Sequence, residues 1–291
     1  MLAGSIVALV TPMDEQGRID VGAFKRLLDL HCGNGTSAVV VAGTTGESPA
    51  IEKSEFQHLL STAVSHLDGA IPVVAGTGSA DTAKTTEMTR LAAELGADAA
   101  LVVTPYYNRP PQAGLRAHFE SVADAVEIPV VLYNVPARTG VDLSLETVIA
   151  LAAHENIVGI KEALADIDKI KQLVEGCPGN FAILSGDDGS CCEAMFNGAD
   201  GVISVAANVV PGKFSALCRY ATSGDTQNAT QLNDELRELN AALALESNPI
   251  PVKWMLHEMG LIGTGIRLPL VPLDAGHHER ARSSLARLHL I

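Results

Sequence analysis

The chain has 291 residues, 47% hydrophobic and 19% charged, with 34 acidic against 20 basic side chains and a formal net charge of −14. That apolar content, free of low-complexity tracts, excludes a disordered chain. The acidic balance, with no basic run to offset it, excludes nucleic acid and anionic membrane surfaces as partners and leaves room for a small anionic substrate in a local cationic pocket.

The opening MLAGSIVALVTPMDEQG is apolar but has no basic n-region and is interrupted by Pro12 and Asp14, so it does not read as a signal peptide. From it emerges the first of eight short, β-branched apolar runs: GSIVALV (4–10), SAVVVAG (37–43), IPVVAGT (71–77), AALVVTP (99–105), IPVVLYN (128–134), IVGIKEA (157–163), FAILSGD (181–187) and GVISVAA (201–207). Their continuous hydrophobicity predicts parallel strands buried on both faces. Helical periodicity lies between them. The spacing predicts helices over 21–35, over 79–98, with Ser79 or Asp81 as cap and Gly96 as stop, and over 144–155. This alternation predicts an α/β fold, a (β/α)8 TIM barrel. A doubly wound open sheet is the alternative, but the Gly-rich dinucleotide turn expected after its first strand is replaced by TPMDEQG. After residue 208 only helices are predicted, over 211–224, 226–246 and 251–260, with Pro249 and Pro251 separating the last two. The expected division is a barrel over 1–225 and a C-terminal helical region over 226–291.

No apolar run approaches the roughly 20 residues of a membrane helix. The five cysteines (Cys32, Cys177, Cys191, Cys192 and Cys218) are odd in number and lack metal-knuckle spacing, and adjacent Cys191 and Cys192 read as small buried thiols. The expected setting is the reducing cytoplasm, and no metal or cofactor is expected. GTGS (76–79) reads as a turn, His277–His278 as a surface pair, and Lys253, on a helix beyond the barrel, as structural.

In a barrel of this kind the chemistry sits at the C-terminal ends of the strands. Those ends carry GTTGES with Thr44 and Thr45, TPYYNRP with Tyr106 and Tyr107, YNVPARTG with Tyr133 and Arg138, and GIKEA with Lys161. Alternation puts Ile157, Gly159 and Lys161 on one face, Val131 and Tyr133 on another, and Val40, Ala42 and Thr44 on a third. If those faces point inward, Lys161, Tyr133 and Thr44 meet at the barrel mouth, with Gly159 either clearing space below the lysine or simply packing. An amine taken out of water has its charged form disfavoured and can attack a ketone to make a Schiff base, an electron sink for metal-free aldol chemistry. A tyrosine phenol can relay protons through the carbinolamine and enamine, threonines can hold a carboxylate, and an arginine fork suits bidentate carboxylate binding.

GTTGES, TPYYNRP, YNVPARTG, GIKEA, SGDD and NPIPVKW, in that order, resemble the dihydrodipicolinate synthase (4-hydroxy-tetrahydrodipicolinate synthase) family, within the pyruvate-dependent aldolase superfamily of N-acetylneuraminate lyase. The likeness runs from the opening segment to IRLPL (266–270). It implies that Lys161 forms a Schiff base with pyruvate, and that Tyr133 relays protons together with Thr44 and with Tyr107 of a neighbouring subunit. It further implies that Thr45 and backbone near Gly186 and Ile203 hold the pyruvate carboxylate, and that Arg138 meets the carboxylate of aspartate 4-semialdehyde. The implied product is the heterocyclic precursor of diaminopimelate and lysine, and the implied assembly is a homotetramer, a dimer of tight dimers. One departure concerns the end product. Lysine-inhibited relatives bind it at the dimer interface; Ser48 and Tyr106 match them, but two histidines, an asparagine and a glutamate are replaced by Lys53, Phe56, Ala80 and Lys84. Weak or absent lysine inhibition is therefore expected. The rival readings are a keto-sugar-acid aldolase of the same superfamily and a non-catalytic barrel that binds a small keto or amino acid.

Overall fold

The computed structural model describes residues 2–291. Eight strands, β1 (Gly4–Ala8), β2 (Ala38–Val41), β3 (Val73–Gly76), β4 (Ala99–Val103), β5 (Val130–Asn134), β6 (Ile157–Glu162), β7 (Ala182–Ser185) and β8 (Gly201–Ser204), pair in sequence order, all parallel, and β1 closes on β8. The helices between them are α1 (Val21–Gly33), α2 (Lys53–Leu67), α3 (Thr82–Glu94), α4 (Gln112–Asp124), α5 (Pro136–Thr139), α6 (Leu145–Leu151), α7 (Ile167–Gly176), α8 (Cys191–Phe196) and α9 (Pro211–Thr222). The expected (β/α)8 barrel is present.

Local chemistry explains the helix starts. Asp20 caps α1 by accepting from the Ala23 N–H, and Asp81, rather than Ser79, caps α3 by accepting from the Lys84 N–H. Glu52 and Glu55 form a reciprocal capping box on α2. Gly96, with φ of +86°, ends the α3 turn in a conformation that side chains resist.

The strands separate two apolar layers. Ile6, Ala8, Val40, Val74, Leu101, Val131, Leu184 and Ile203 fill the lumen, while Val7, Val39, Val102, Leu132, Ile160 and Val202 pack outward on the helices. Burial on both faces is why the strands read as continuous apolar runs.

Three further helices follow: α10 (Thr226–Leu243), α11 (Ile250–Glu258) and α12 (Ala275–Arg287). α10 packs on both α9 and α12. Sequence patterning missed α12, whose AGHHERARSSLAR is polar over most of its surface and buries only Ala281, Ser284 and Leu285. On it His278 is half-buried, stacked on Trp254 with ring centroids 4.6 Å apart, rather than free on the surface. The cysteines are free thiols, with Cys191, Cys192 and Cys218 buried. No helix among the described residues is long and apolar enough to cross a membrane.

Candidate active site

The wall formed by β5 and β6 carries the lysine. Their register sets Tyr133 opposite Lys161 and Asn134 opposite Glu162. Tyr133 faces the lumen, and the Lys161 amine lies 4.4 Å from the centroid of its ring. A bulge changes the expected alternation. Val130 pairs with Ile157 but Val131 with Gly159, so Val158 is extra. Ile157 consequently packs on the helical layer, not on the face of Lys161. Gly159 serves packing: a Cβ there would meet the Ala182 carbonyl oxygen at 2.7 Å. The glycine that clears the lysine is Gly186, where a Cβ would lie 2.9 Å from Lys161 Cε. The Gly186 N–H donates to the Glu162 carbonyl at 2.7 Å, so what this residue offers the lumen is its own carbonyl and the absence of a side chain.

Behind the lysine, on the outer face, lies a buried polar network. Asn134 Nδ2 donates to both Glu162 oxygens, at 3.1 and 2.8 Å, and to Asp142 Oδ1 at 2.6 Å. The Lys169 ammonium donates to Asp142 at 2.8 Å and to the Leu143 carbonyl at 3.0 Å, and lies 3.1 Å from Glu162 Oε2. Burial raises the Glu162 carboxyl above its ordinary range, opposed by Lys169 and Asn134. Every member is paired, which fixes the strand pair that aims Lys161 and Tyr133.

The loop after β2 is held differently. β2 ends at Val41, and Ala42 takes φ of +54°, so strand alternation stops there and Ala42 turns into the outer core layer. Thr44 reaches the site from the loop, not along the inward face of the strand as expected. Three residues on, Glu47 is 2% exposed with φ of +60°. It accepts from the Lys253 ammonium of α11 and, at 3.0 Å, from the Arg267 N–H. The Arg267 guanidinium donates to both Glu55 oxygens, at 2.6 and 2.5 Å, and holds that carboxyl below its ordinary range. Lys253 is thus buried and structural, as expected; its partner was not foreseen. Thr45, 1% exposed, accepts from Asn248 Nδ2 at 3.0 Å. Arg138, exposed on α5, donates through Nη2 to the Asn248 carbonyl at 3.2 Å.

Thr44 and Arg138 line one cleft of about 620 Å³, which continues outward past Ser48, Lys53, Phe56, Lys84 and Tyr106. Ile203 lies in the lumen, 1% exposed. Its strand end is fixed by Asp188 Oδ2, which accepts from the Val205 and Ala206 N–H groups at 3.1 and 2.8 Å. Of the candidates, the cleft lining holds Thr44 and Arg138; Lys161, Tyr133, Thr45 and Ile203 lie buried below it, whereas the Tyr107 side chain is 92% exposed, with φ of +74°. GTGS lines the same cleft as a turn, with Gly78 so close to β4 that a Cβ would meet the Val103 nitrogen at 2.4 Å.

Three lysines are buried: Lys161, Lys169 and Lys253. Lys169 is paired with Glu162 and Asp142, and Lys253 with Glu47. Among the described residues, Lys161 alone of the three has no carboxylate partner. A family model described as the dihydrodipicolinate synthetase family matches residues 1–288. The chain belongs to this family. The 4-hydroxy-tetrahydrodipicolinate synthase of Ectopseudomonas mendocina (strain ymp) is 50% identical over 285 residues, covering 98% of each chain. The chloride-inhibited dihydrodipicolinate synthase of Acinetobacter baumannii, solved in complex with pyruvate, is 47% identical with a TM-score of 0.99 over the whole of both chains. A monomeric dihydrodipicolinate synthase variant is 40% identical with a TM-score of 0.98, over 100% of this chain and 98% of its own.

Within the dihydrodipicolinate synthetase framework, sequence reading passed over Glu47, Asn134, Glu162 and Asn248 as contributors. Glu47 and Asn248 lay inside quoted motifs, GTTGES and NPIPVKW, but a carboxylate or amide in a loop carries no signal until its distant partner is known. For Glu162 the signal was available: alternation puts the residue after an inward lysine on the outward face of a buried strand, where a carboxylate needs a counter-ion.

Proposed function

We propose that Lys161 is the nucleophile that adds to the ketone of pyruvate, and that the mouth of the barrel around it carries a pyruvate-dependent aldol condensation. The chain is a lyase of the 4-hydroxy-tetrahydrodipicolinate synthase type: it joins pyruvate to aspartate 4-semialdehyde on the route to diaminopimelate and lysine. The observation that carries the residue assignment is the missing counter-ion. A lysine placed for structure brings a carboxylate, as Lys169 and Lys253 do. Lys161 instead sits over the ring of Tyr133.

In the proposed sequence the Lys161 amine attacks the pyruvate carbonyl carbon to give a carbinolamine. Loss of its hydroxyl as water gives the iminium, and loss of a methyl proton gives the enamine. The enamine carbon then bonds to the aldehyde carbon, whose oxygen takes up a proton, and the iminium re-forms; the amino group of the second substrate adds to the iminium carbon, closes the ring and displaces the Lys161 amine. Tyr133, with Thr44, moves these protons. Thr45 holds the pyruvate carboxylate, the backbone beside Gly186 and Ile203 flanks the bound pyruvate, and Arg138 holds the carboxylate of the second substrate. Tyr107 acts in a neighbouring subunit's site, a role supported by its exposure in the single chain; the assembly is a tetramer working in the cytoplasm. Residues 1–225 form the catalytic barrel and 226–291 a helical region that closes on its loops.

The test is a coupled assay in which excess dihydrodipicolinate reductase consumes NADPH as product forms. Lys161→Ala is expected to lose at least about a thousandfold in kcat, roughly 4 kcal/mol of barrier. Full activity in that variant overturns the nucleophile. Wild type that is trapped on pyruvate by borohydride but consumes no NADPH overturns the acceptor and leaves the lysine chemistry. Analytical ultracentrifugation of wild type checks the tetramer.

A further inference from the structure

Asn248 touches both residues assigned to carboxylate binding. Its side-chain Nδ2 donates to Thr45 Oγ1 at 3.0 Å, and its main-chain carbonyl accepts from Arg138 Nη2 at 3.2 Å. Its Oδ1 is buried and has no partner. We propose that Asn248 is a positioning residue that makes Thr45 a hydrogen-bond donor toward the pyruvate carboxylate. This inference rests on the function proposed above.

A hydroxyl has one hydrogen and accepts through its oxygen. When an amide N–H donates to that oxygen, the hydroxyl hydrogen is left to point elsewhere. Thr45 is 1% exposed, on the loop that also presents Thr44 to the cleft, so few partners compete for that hydrogen. The reverse amide orientation would take the Thr45 hydrogen into Oδ1 and leave a buried N–H2 unpaired. Orphaned buried donors are rarer than under-satisfied acceptors, so the observed orientation is the favoured one. The link spans 203 residues of sequence and joins the loop after β2 to the segment leading into α11. The same segment is anchored five residues further on by the Lys253–Glu47 pair, so Asn248 is held at both the loop and the helix.

Two carboxylate-binding groups therefore share one scaffold residue. Arg138 keeps four of its five N–H donors for an anion after giving one to the Asn248 carbonyl. That carbonyl survives any side-chain substitution, so altering the Asn248 side chain addresses Thr45 while leaving the Arg138 contact.

The experiment measures the pyruvate concentration that half-saturates borohydride trapping on Lys161, with no second substrate present. Asn248→Ala is expected to raise it about tenfold, the worth of one hydrogen bond that involves a charged group. Asn248→Asp is expected to raise it further, because its carboxylate takes the Thr45 hydrogen and repels the incoming anion. Thr45→Val alone is expected to match Asn248→Ala, and the double variant Thr45→Val/Asn248→Ala to be no worse than the single ones. In the full assay the change should fall on the KM for pyruvate, with kcat and the KM for the aldehyde within about twofold; a merely structural role would move all of them. Additive losses in the double variant, or an Asn248→Asp effect no larger than that of Asn248→Ala, overturn the inference while the lysine reading stands. Wild type that traps no pyruvate overturns both. Should Asn248→Asp fail to fold, the Thr45→Val/Asn248→Ala cycle decides alone.

Discussion

Lys161 and Lys253 are each 4% exposed, and their surroundings are opposite. Lys253 meets Glu47, and that pair ties α11 to the loop after β2 across 206 residues of sequence. Lys161 meets an aromatic ring and a glycine, with its carboxylate neighbour in sequence, Glu162, turned to the other face of the strand and engaged by Lys169 and Asn134. Burying an amine with no counter-ion costs stability, which is the observation behind the role proposed for Lys161. The contrast teaches that the counter-ion, rather than burial, is what distinguishes these two lysines.

Removing each lysine in turn tests that contrast most severely. Lys253→Met leaves Glu47 buried without a counter-ion, which is expected to cost about 3–5 kcal/mol of stability, seen as a drop of roughly 10 °C in melting temperature. Lys161→Met removes an unpaired amine and is expected to leave the melting temperature unchanged or raised while Schiff-base formation is lost. Similar melting shifts for the two would erase the distinction. Adding Glu47→Gln to Lys253→Met neutralises the orphaned carboxylate and keeps an acceptor for the Arg267 N–H, so more than half of the lost stability should return in the same thermal scan. No recovery would mean that Lys253 contributes packing rather than charge.

The helical shell sets a pH dependence common to both regions. His31 and His118 are buried, each with Nε2 unpartnered, and burial pushes both down to about 4, Asp81 opposing the shift in His118. The unfolded chain therefore binds more protons than the folded one between about pH 6.5 and 4. Stability is fully present above about pH 6.5 and is lost as the pH falls through that window, by on the order of 3 kcal/mol for each histidine. Urea titrations at pH 7 and pH 4.5 check this, and His31→Asn with His118→Asn should flatten the difference.

The smallest expected effect is that of added lysine. In the outer part of the cleft Lys53 is engaged by Glu87, and Lys84 stands on the same wall. Glu87 on that wall is occupied by Lys53 and faces Lys84, so its carboxylate is not left free for an incoming ammonium group, and millimolar lysine is expected to leave turnover within about a tenth of its uninhibited value. Half-inhibition below that concentration would show that the cleft accommodates an ammonium despite Lys53 and Lys84.

The sequence by itself determined the barrel, because eight β-branched runs buried on both faces leave a continuous apolar signature that periodicity can read. It brought Lys161 and Tyr133 together at the barrel mouth on the premise that their faces point inward, and the premise holds because the bulge at Val158 precedes Lys161 on β6 and leaves the alternation after it intact. Only the tertiary structure decided that Ile157 points outward, that Thr44 arrives from a loop after the left-handed Ala42, and that Tyr107 stands clear of its own cleft. It alone brought Asn248 to Thr45 and Lys253 to Glu47. Those contacts join residues more than 200 positions apart, and a loop residue's partner over such a distance is set by how the barrel closes, which no local pattern of residue types encodes.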